Sequence, residues 1–389
     1  MTEESCAYAN PEPEIIASYK VSPEDFKVFE EISFTPDGAG EHLLLLIEKT
    51  GLTTQEAQKR LSDFFQRPAV DVSFSGMKDK QAVTQQWFSI RLPGNTDNTV
   101  ADIDALNSDL LSVLEVKRNS RKLKRGSHRQ NRFQIRLREL SGNPEYLLDR
   151  LETIAAQGVP NYFGAQRFGR DKYNLERARR MLAGELKVKQ HYQRGLYYSA
   201  ARAWLFNRVL SERVQLGNWN QFLAGDVMQL DGTDASFKAQ ADDPEINQRL
   251  ESMDIHPTGP LWGSSKSGSQ GQTAELELRV AAAEKSLCAG LEAAGLNSQR
   301  RALRSPVRDL QHHIVDSETL ELEFTLNKGA YATVVLRELV KLRALASEQA
   351  NEQDSSGQDS VAAEEEGTAG YDQAGHEASN QKDLEKIAF

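Results

Sequence analysis

The sequence predicts an α+β fold in which strands and helices follow one another in no strict alternation. Two observations carry this. Runs of period-two alternation are interspersed irregularly with runs at helical spacing. Composition also shifts near Gly158 to a strongly helical stretch, and strand character returns at Leu320–Leu326. The 389 residues suffice for two sizeable cores. A second domain inserted between two parts of the first is the simplest organisation.

Phe26-Lys27-Val28-Phe29 alternates and predicts a short strand. Pro36-Asp37-Gly38 is a turn signal, and His42–Ile47 a buried strand. Thr53 and Glu56 have capping-box spacing ahead of Ala57, Leu61 and Phe64, which predicts a helix. Strands are expected at Val70–Phe74 and Trp87–Leu92, and a helix over Asp104–Leu111. Phe133, Ile135 and Leu137 alternate with Gln134, Arg136 and Arg138, giving a strand with one apolar and one basic face. A helix follows over Pro144–Ala156, and a helical stretch from Leu175 to about Val214. Gly259–Gly271 reads as a loop anchored by Leu261 and Trp262. Thr273–Ala293 reads as a helix, and Gly329-Ala330-Tyr331 leads into another through Ala344. After Ser347 the chain is polar and acidic, which predicts a disordered, solubilising tail.

The net charge of −10 argues against a nucleic-acid partner until its distribution is considered. Residues 348–389 hold eleven acids and two lysines, leaving the rest of the chain near neutral. Lys117–Arg138 contains ten Lys or Arg and no acid. Lys117, Arg118, Arg121, Lys122, Lys124, Arg125 and Arg129 are suited to phosphate binding, with Arg132, Arg136 and Arg138 extending the surface along the strand. Such contacts position RNA rather than read it. The same run also fits a passive solvated face.

Ser75–Gln86 reads SGMKDKQAVTQQ. A carboxylate nucleophile must be fixed, kept ionised and able to approach carbon. Asp79 meets this if its turn lies over a cleft, because flanking cations favour the ionised form. Lys78 and Lys80 supply such a field or bind phosphate; a plain charged hairpin loop also fits these residues. Thr84, Gln85 and Gln86 suit either positioning or surface roles. Asn161–Gly169 packs three aromatics, two amides and an arginine into nine residues, as a ligand-touching junction or a packed hinge would. The scattered histidines and two cysteines spell no metal site, and no glycine-rich nucleotide loop is present. The start has no signal-peptide character and no apolar run reaches membrane-spanning length, so a cytoplasmic protein is expected.

The sequence resembles the TruD family of tRNA pseudouridine synthases. The resemblance rests on Lys20 with Pro23-Glu24-Asp25-Phe26, on Gly76–Gln85, on Asn131 with Phe133, on Asn161–Gly169 and on Gly329–Leu339. It covers about residues 14 to 345. It implies isomerisation of uridine to pseudouridine in tRNA, at position 13, without a cofactor and without an obligate protein partner. Asp79 would be the nucleophile, attacking C6 of uracil or C1′ of ribose. Phe133 would stack on the target base, Asn131 would orient loop or substrate, and Lys20 would lie near the carboxylate. Lys78, Lys80, Asn161, Phe163, Gln166 and Arg167 would contact substrate. The implied fold is a pseudouridine synthase core with a mixed, mainly antiparallel sheet. Residues 14–157 and 306–345 would form the catalytic domain and 158–305 an inserted TruD-specific α+β domain. A non-catalytic tRNA-binding or chaperone module is the alternative reading.

Overall fold

A computed structural model describes residues 6–94, 102–240 and 243–343. Apolar alternation organises one large mixed sheet. Its strands are β2 (Phe26–Ile32), β3 (His42–Lys49), β4 (Val72–Phe74), β5 (Val83–Arg91), β6 (Leu111–Asn119), β7 (His128–Leu137), β14 (Arg308–Asp316) and β15 (Thr319–Asn327). The order is β14-β15-β7-β2-β5-β3-β6, with β4 paired to β5, and every pair is antiparallel except β2–β5. Helix α1 (Thr54–Phe64) starts at the expected capping box: Glu56 N–H donates to Thr53 Oγ1 at 3.1 Å and Thr53 N–H to Glu56 Oε2 at 2.7 Å. Its buried Ala57 and Leu61 pack with Leu43, Leu45, Phe88 and Ile90 in a compact apolar cluster.

Helix α2 (Leu148–Gln157) ends at Gly158, whose φ of +72° suits glycine. Strand β8 (Val159–Pro160) then pairs with β13 (Arg304–Ser305), so the chain departs and returns through one short ladder. Between them lie α3 (Tyr173–Leu182), α4 (His191–Gln215), β9 (Val227–Leu230), β10 (Ser236–Lys238), α5 (Glu245–Glu251), β11 (Ile255–Leu261), α6 (Gly271–Ala283), α7 (Lys285–Ala293) and β12 (Gln299–Ala302). These strands form a separate four-stranded sheet ordered β10-β9-β11-β12. One apolar cluster runs from Phe133 and Phe324 of the large sheet to Phe206 and Leu210 of α4. Helix α8 (Ala332–Leu339) follows β15, and β1 (Ile16–Ala17) pairs in parallel with β16 (Lys341–Leu342).

Several expectations need correction. Asp104–Leu111 is not a helix: a single 3-10 turn covers Ile103–Leu106, and Leu111 opens β6 by pairing with Lys49. The helical stretch from 175 to 214 is two helices, broken between Leu182 and His191, where Gly184 takes φ +80°. Thr273–Ala293 likewise splits at Glu284. Gly259–Leu261 belongs to β11, and the last helix stops at Leu339. Strand β5 starts at Val83, so Thr84–Gln86 is strand rather than loop. The acidic tail lies outside the described residues. Among them, no helix is long and apolar enough to cross a membrane, and Cys6 and Cys288 are both buried. Edge strand β14 is exposed along most of its length and carries two register shifts against β15.

Candidate active site

Asp79 sits in the loop that joins β4 to β5, and its carboxylate is 39% exposed. The loop is held from beneath by polar side chains. Gln86 Nε2 donates to the Gly76 carbonyl, Thr54 Oγ1 donates to Gln86 Oε1 at 3.1 Å, and Lys78 N–H donates to Thr54 Oγ1 at 2.8 Å. Thr54, Thr84 and Gln86 are fully buried. Lys49, also buried, donates from Nζ to the Leu52 carbonyl at 2.7 Å and the Asp79 carbonyl at 3.1 Å. A buried polar strand needs such partners, because an orphaned group costs about 1–3 kcal/mol.

The Asp79 side chain has its own cradle. Oδ2 pairs with Lys20 Nζ, and Oδ1 accepts from Gln81 N–H at 3.0 Å. Burial pushes its carboxyl upward; the Lys20 charge and hydrogen bond, the Gln81 N–H and the Lys49 charge outweigh that and leave it below the ordinary value. Lys20 takes a left-handed backbone, φ +55°, and its ammonium lies 4.5 Å from the centre of the Phe26 ring. Burial pushes the Lys49 amine down to about 8, against the pull of Asp79.

Phe133 lies on the sheet beside this loop and is 7% exposed. Its ring stacks with Phe324 at 5.5 Å and meets the edge of Phe26 at 6.1 Å. Asn131 is buried two residues earlier, opposite Glu30, and its Oδ1 has no hydrogen-bond partner among the described residues. Lys78 departs from expectation. Its amine is buried against Glu30, a fully enclosed carboxylate, and so is not presented to substrate phosphates. Lys80 is exposed and lies 3.6 Å from Glu56.

The basic run crosses from β6 to β7 over the end of the sheet. Leu123 is buried against Leu44 and Trp87 and pins the crossover. Gly126 N–H donates to the Ser75 carbonyl at 2.7 Å, tying this segment to the start of the Asp79 loop. Arg121, Lys122, Lys124, Arg125 and Arg129 are exposed. Lys117 is exposed but pairs with Glu115 at 2.8 Å, and Arg118 is half-buried. Arg132, Arg136 and Arg138 do not extend this surface: they pair with Glu323, Glu321 and Asp25.

The 161–169 segment is a seam between α4 and the loop after β15. Asn207 Nδ2 donates to the Phe163 carbonyl and Phe163 N–H to Asn207 Oδ1, both at 2.9 Å. Phe163 is buried, and Asn161 spends its amide on the Ala302 carbonyl and Arg301, so both serve packing here rather than an open surface. Gln166 is exposed, and Arg167 donates to Ser199 Oγ at 2.8 Å and the Tyr331 hydroxyl at 3.1 Å. Among the described residues no three or more His, Cys, Asp or Glu form a metal-holding group. Sequence reasoning missed Lys49, Thr54 and Glu30. The one available signal was a lysine closing the otherwise apolar run His42–Ile47.

The family profile described as tRNA pseudouridine synthase D (TruD) matches residues 4–188 and 173–339. The chain belongs to the TruD family of tRNA pseudouridine synthases. A tRNA pseudouridine synthase D from Hydrogenovibrio crunogenus is 40% identical over 337 residues, covering 87% of this chain and 96% of that one. Its counterpart from Methylococcus capsulatus is 46% identical over 326 residues, covering 83% and 90%. A TruD-assigned crystal structure from Methanosarcina mazei shares the fold with a TM-score of 0.66 at 20% identity, covering 86% of this chain and 95% of that one. The chain is therefore an enzyme that forms pseudouridine in tRNA, which decides against the purely RNA-binding alternative. TruD membership also fits the mixed, largely antiparallel sheet and the helical insertion described above.

Proposed function

We propose that this TruD enzyme converts uridine at tRNA position 13 to pseudouridine, with Asp79 as nucleophile. The observation that carries the nucleophile is the state of its carboxylate: held ionised, anchored at both oxygens and yet 39% exposed. Neighbouring Glu30 is sealed against Lys78 and cannot reach substrate. Position 13 rests on the resemblance of residues 76–85, 131–133 and 161–169 to the family.

The target uridine must leave its stack to meet Asp79. The carboxylate adds to C6 of uracil or to C1′ of ribose, and the N1–C1′ bond breaks. The base turns, C5 bonds to C1′, the bond to the Asp79 carboxylate breaks, and the proton lost from C5 is balanced by one taken up at N1, so the product is an isomer of the substrate. Lys20 keeps the nucleophile charged. Phe133, with Phe26, offers the base an aromatic floor, through the part of its ring that remains exposed. Arg121, Lys122, Lys124, Arg125 and Arg129 hold phosphates and so set the strand's position. Residues 158–305 act as the inserted unit that forms the other wall of the cleft.

Base-resolution mapping of pseudouridine in tRNA tests this directly. The unsubstituted chain should modify position 13. Asp79→Asn should form none while retaining most tRNA affinity. Product at another position would remove the positional assignment, and undiminished turnover by Asp79→Asn would remove the nucleophile.

A further inference from the structure

Arg301, on β12, is 8% exposed and is held by neutral acceptors alone. Its Nη2 donates to Asn161 Oδ1 at 2.6 Å and to the Gly329 carbonyl at 2.8 Å. Arg167 is held in the same way, by Ser199 and Tyr331 hydroxyls. The two guanidiniums lie 4.1 Å and 5.4 Å from the centre of one ring, Phe163. Among the described residues neither has a carboxylate within ion-pair distance. Arg213, Arg300 and Arg337 do, pairing with Asp226 at 2.9 Å, Glu277 at 2.8 Å and Glu338 at 3.0 Å, whereas buried Arg304 is likewise held by neutral groups, His256 and two backbone carbonyls.

Two like charges against one ring are costly without a counter-ion. Burial, with Arg167 adding to it and Tyr331 opposing, pushes the Arg301 guanidinium down to about 10, so it remains charged at neutral pH. An anion would supply the opposite charge that neither arginine has among the described residues. The site is open to one: Arg167 and Tyr331 are half-buried, and Gln166, Lys328 and Gly329 beside them are exposed. Arg301 Nη1 makes no hydrogen bond among the described residues, which leaves donors unspent.

The location is also informative. Lys328 N–H donates to the Arg129 carbonyl at 3.2 Å. His128 precedes Arg129, and its ring lies next to Gly76 of the Asp79 loop. The arginine pair, the basic crossover and the nucleophile loop are thus joined by consecutive contacts.

We propose that Arg301 and Arg167, with the Tyr331 hydroxyl, form a clasp for a phosphodiester of the bound RNA strand. Arg301 supplies fixed charge and Arg167 the outer jaw. This rests on the reading of tRNA as the bound substrate, and it adds a phosphate site on the insertion's side of the fold, apart from the basic crossover.

The test is equilibrium binding of unmodified tRNA across a salt series, in the Asp79→Asn background so that no turnover intervenes. Adding Arg167→Gln should weaken binding about tenfold and flatten the log–log salt slope by about 0.7–0.9, the loss of one phosphate contact. Arg167→Lys should restore the slope, which a merely structural role would not. An unchanged slope in a folded Arg167→Gln protein overturns the clasp. Tighter RNA binding by the Arg167→Gln protein would also overturn it. If Arg167→Gln unfolds, Tyr331→Phe takes its place: weaker binding at unchanged melting temperature supports the clasp, and unchanged binding defeats it. Pseudouridine mapping with the unsubstituted chain separates the readings. Product at position 13 with an unchanged salt slope removes the clasp alone; absence of product there removes the positional reading and leaves the clasp to be judged by its slope.

Discussion

Asp79 owes its charge to one ammonium above all. Lys20 reaches it from the turn before β2, and its own amine is only 11% exposed. Because the Asp79 pKa is depressed, the charged form persists, and with it the stability it contributes, until pH falls through the folded value. Replacing Lys20 by Met removes the second-largest influence and leaves burial, which pushes the other way. The acid limb of kcat/KM should then move to higher pH. A pH profile that keeps the parent's acid limb would show that Lys20 does not set the nucleophile's ionisation. Asp79 was visible in the sequence as a candidate in a lysine-flanked turn, and took the nucleophile's role only through the family resemblance. Lys49 was not. A lysine ending an apolar strand normally marks the return to solvent, and here Leu52 and Asp79 carbonyls take its place.

The loop is rigid to the extent that its neighbouring elements hold it. Thr54 belongs to α1 and Gln86 to β5, so the first turn of a helix and the interior of a sheet grip the same segment. Thr54→Val keeps the shape and deletes two hydrogen bonds. It should cost about 1–3 kcal/mol of stability by leaving buried partners unmade. Turnover should fall about tenfold or more from misplacement of the nucleophile, with tRNA affinity little changed. Denaturant titration and single-turnover kinetics check the two parts.

Element legibility followed physical cause. The capping box at Thr53–Glu56 and the alternation at Phe133–Leu137 are local signals, and both elements form where expected. A helix was expected over Asp104–Leu111, yet only a single 3-10 turn forms and Leu111 opens β6 by pairing with β3, a tertiary effect no window contains. The polar run Thr84–Gln86 misled for the opposite reason. It is a buried strand that breaks the hydrophobic pattern where the site needs polar support.

At the scale of the molecule, charge is partitioned. Exposed Arg121, Lys122, Lys124 and Arg125 sit on a crossover bonded to the nucleophile loop, whereas Arg132, Arg136 and Arg138 are neutralised within the sheet. The sequence showed ten basic residues in a row of twenty-two but not this division, because pairing partners at Glu323, Glu321 and Asp25 lie far away along the chain. Reversing Arg121, Lys122, Lys124 and Arg125 to Glu should weaken tRNA binding by more than about a hundredfold in low salt and flatten the salt dependence. Reversing Arg132 and Arg136 should instead cost stability more than affinity. Filter binding at several salt concentrations, beside melting curves, distinguishes the two sets. Removing residues 348–389 should leave turnover on tRNA largely intact, as single-turnover assays would show.

The border strand β14 has a consequence for life at high concentration. Its residues include Arg308, Asp309, Gln311, His312, His313 and Asp316, and its irregular register bends the ladder at both ends. A straight greasy margin would invite another copy to zip onto it and seed insoluble stacks. This one meets a neighbour with ions, water and mismatched spacing, so crowding should bring the molecules together without knitting their backbones.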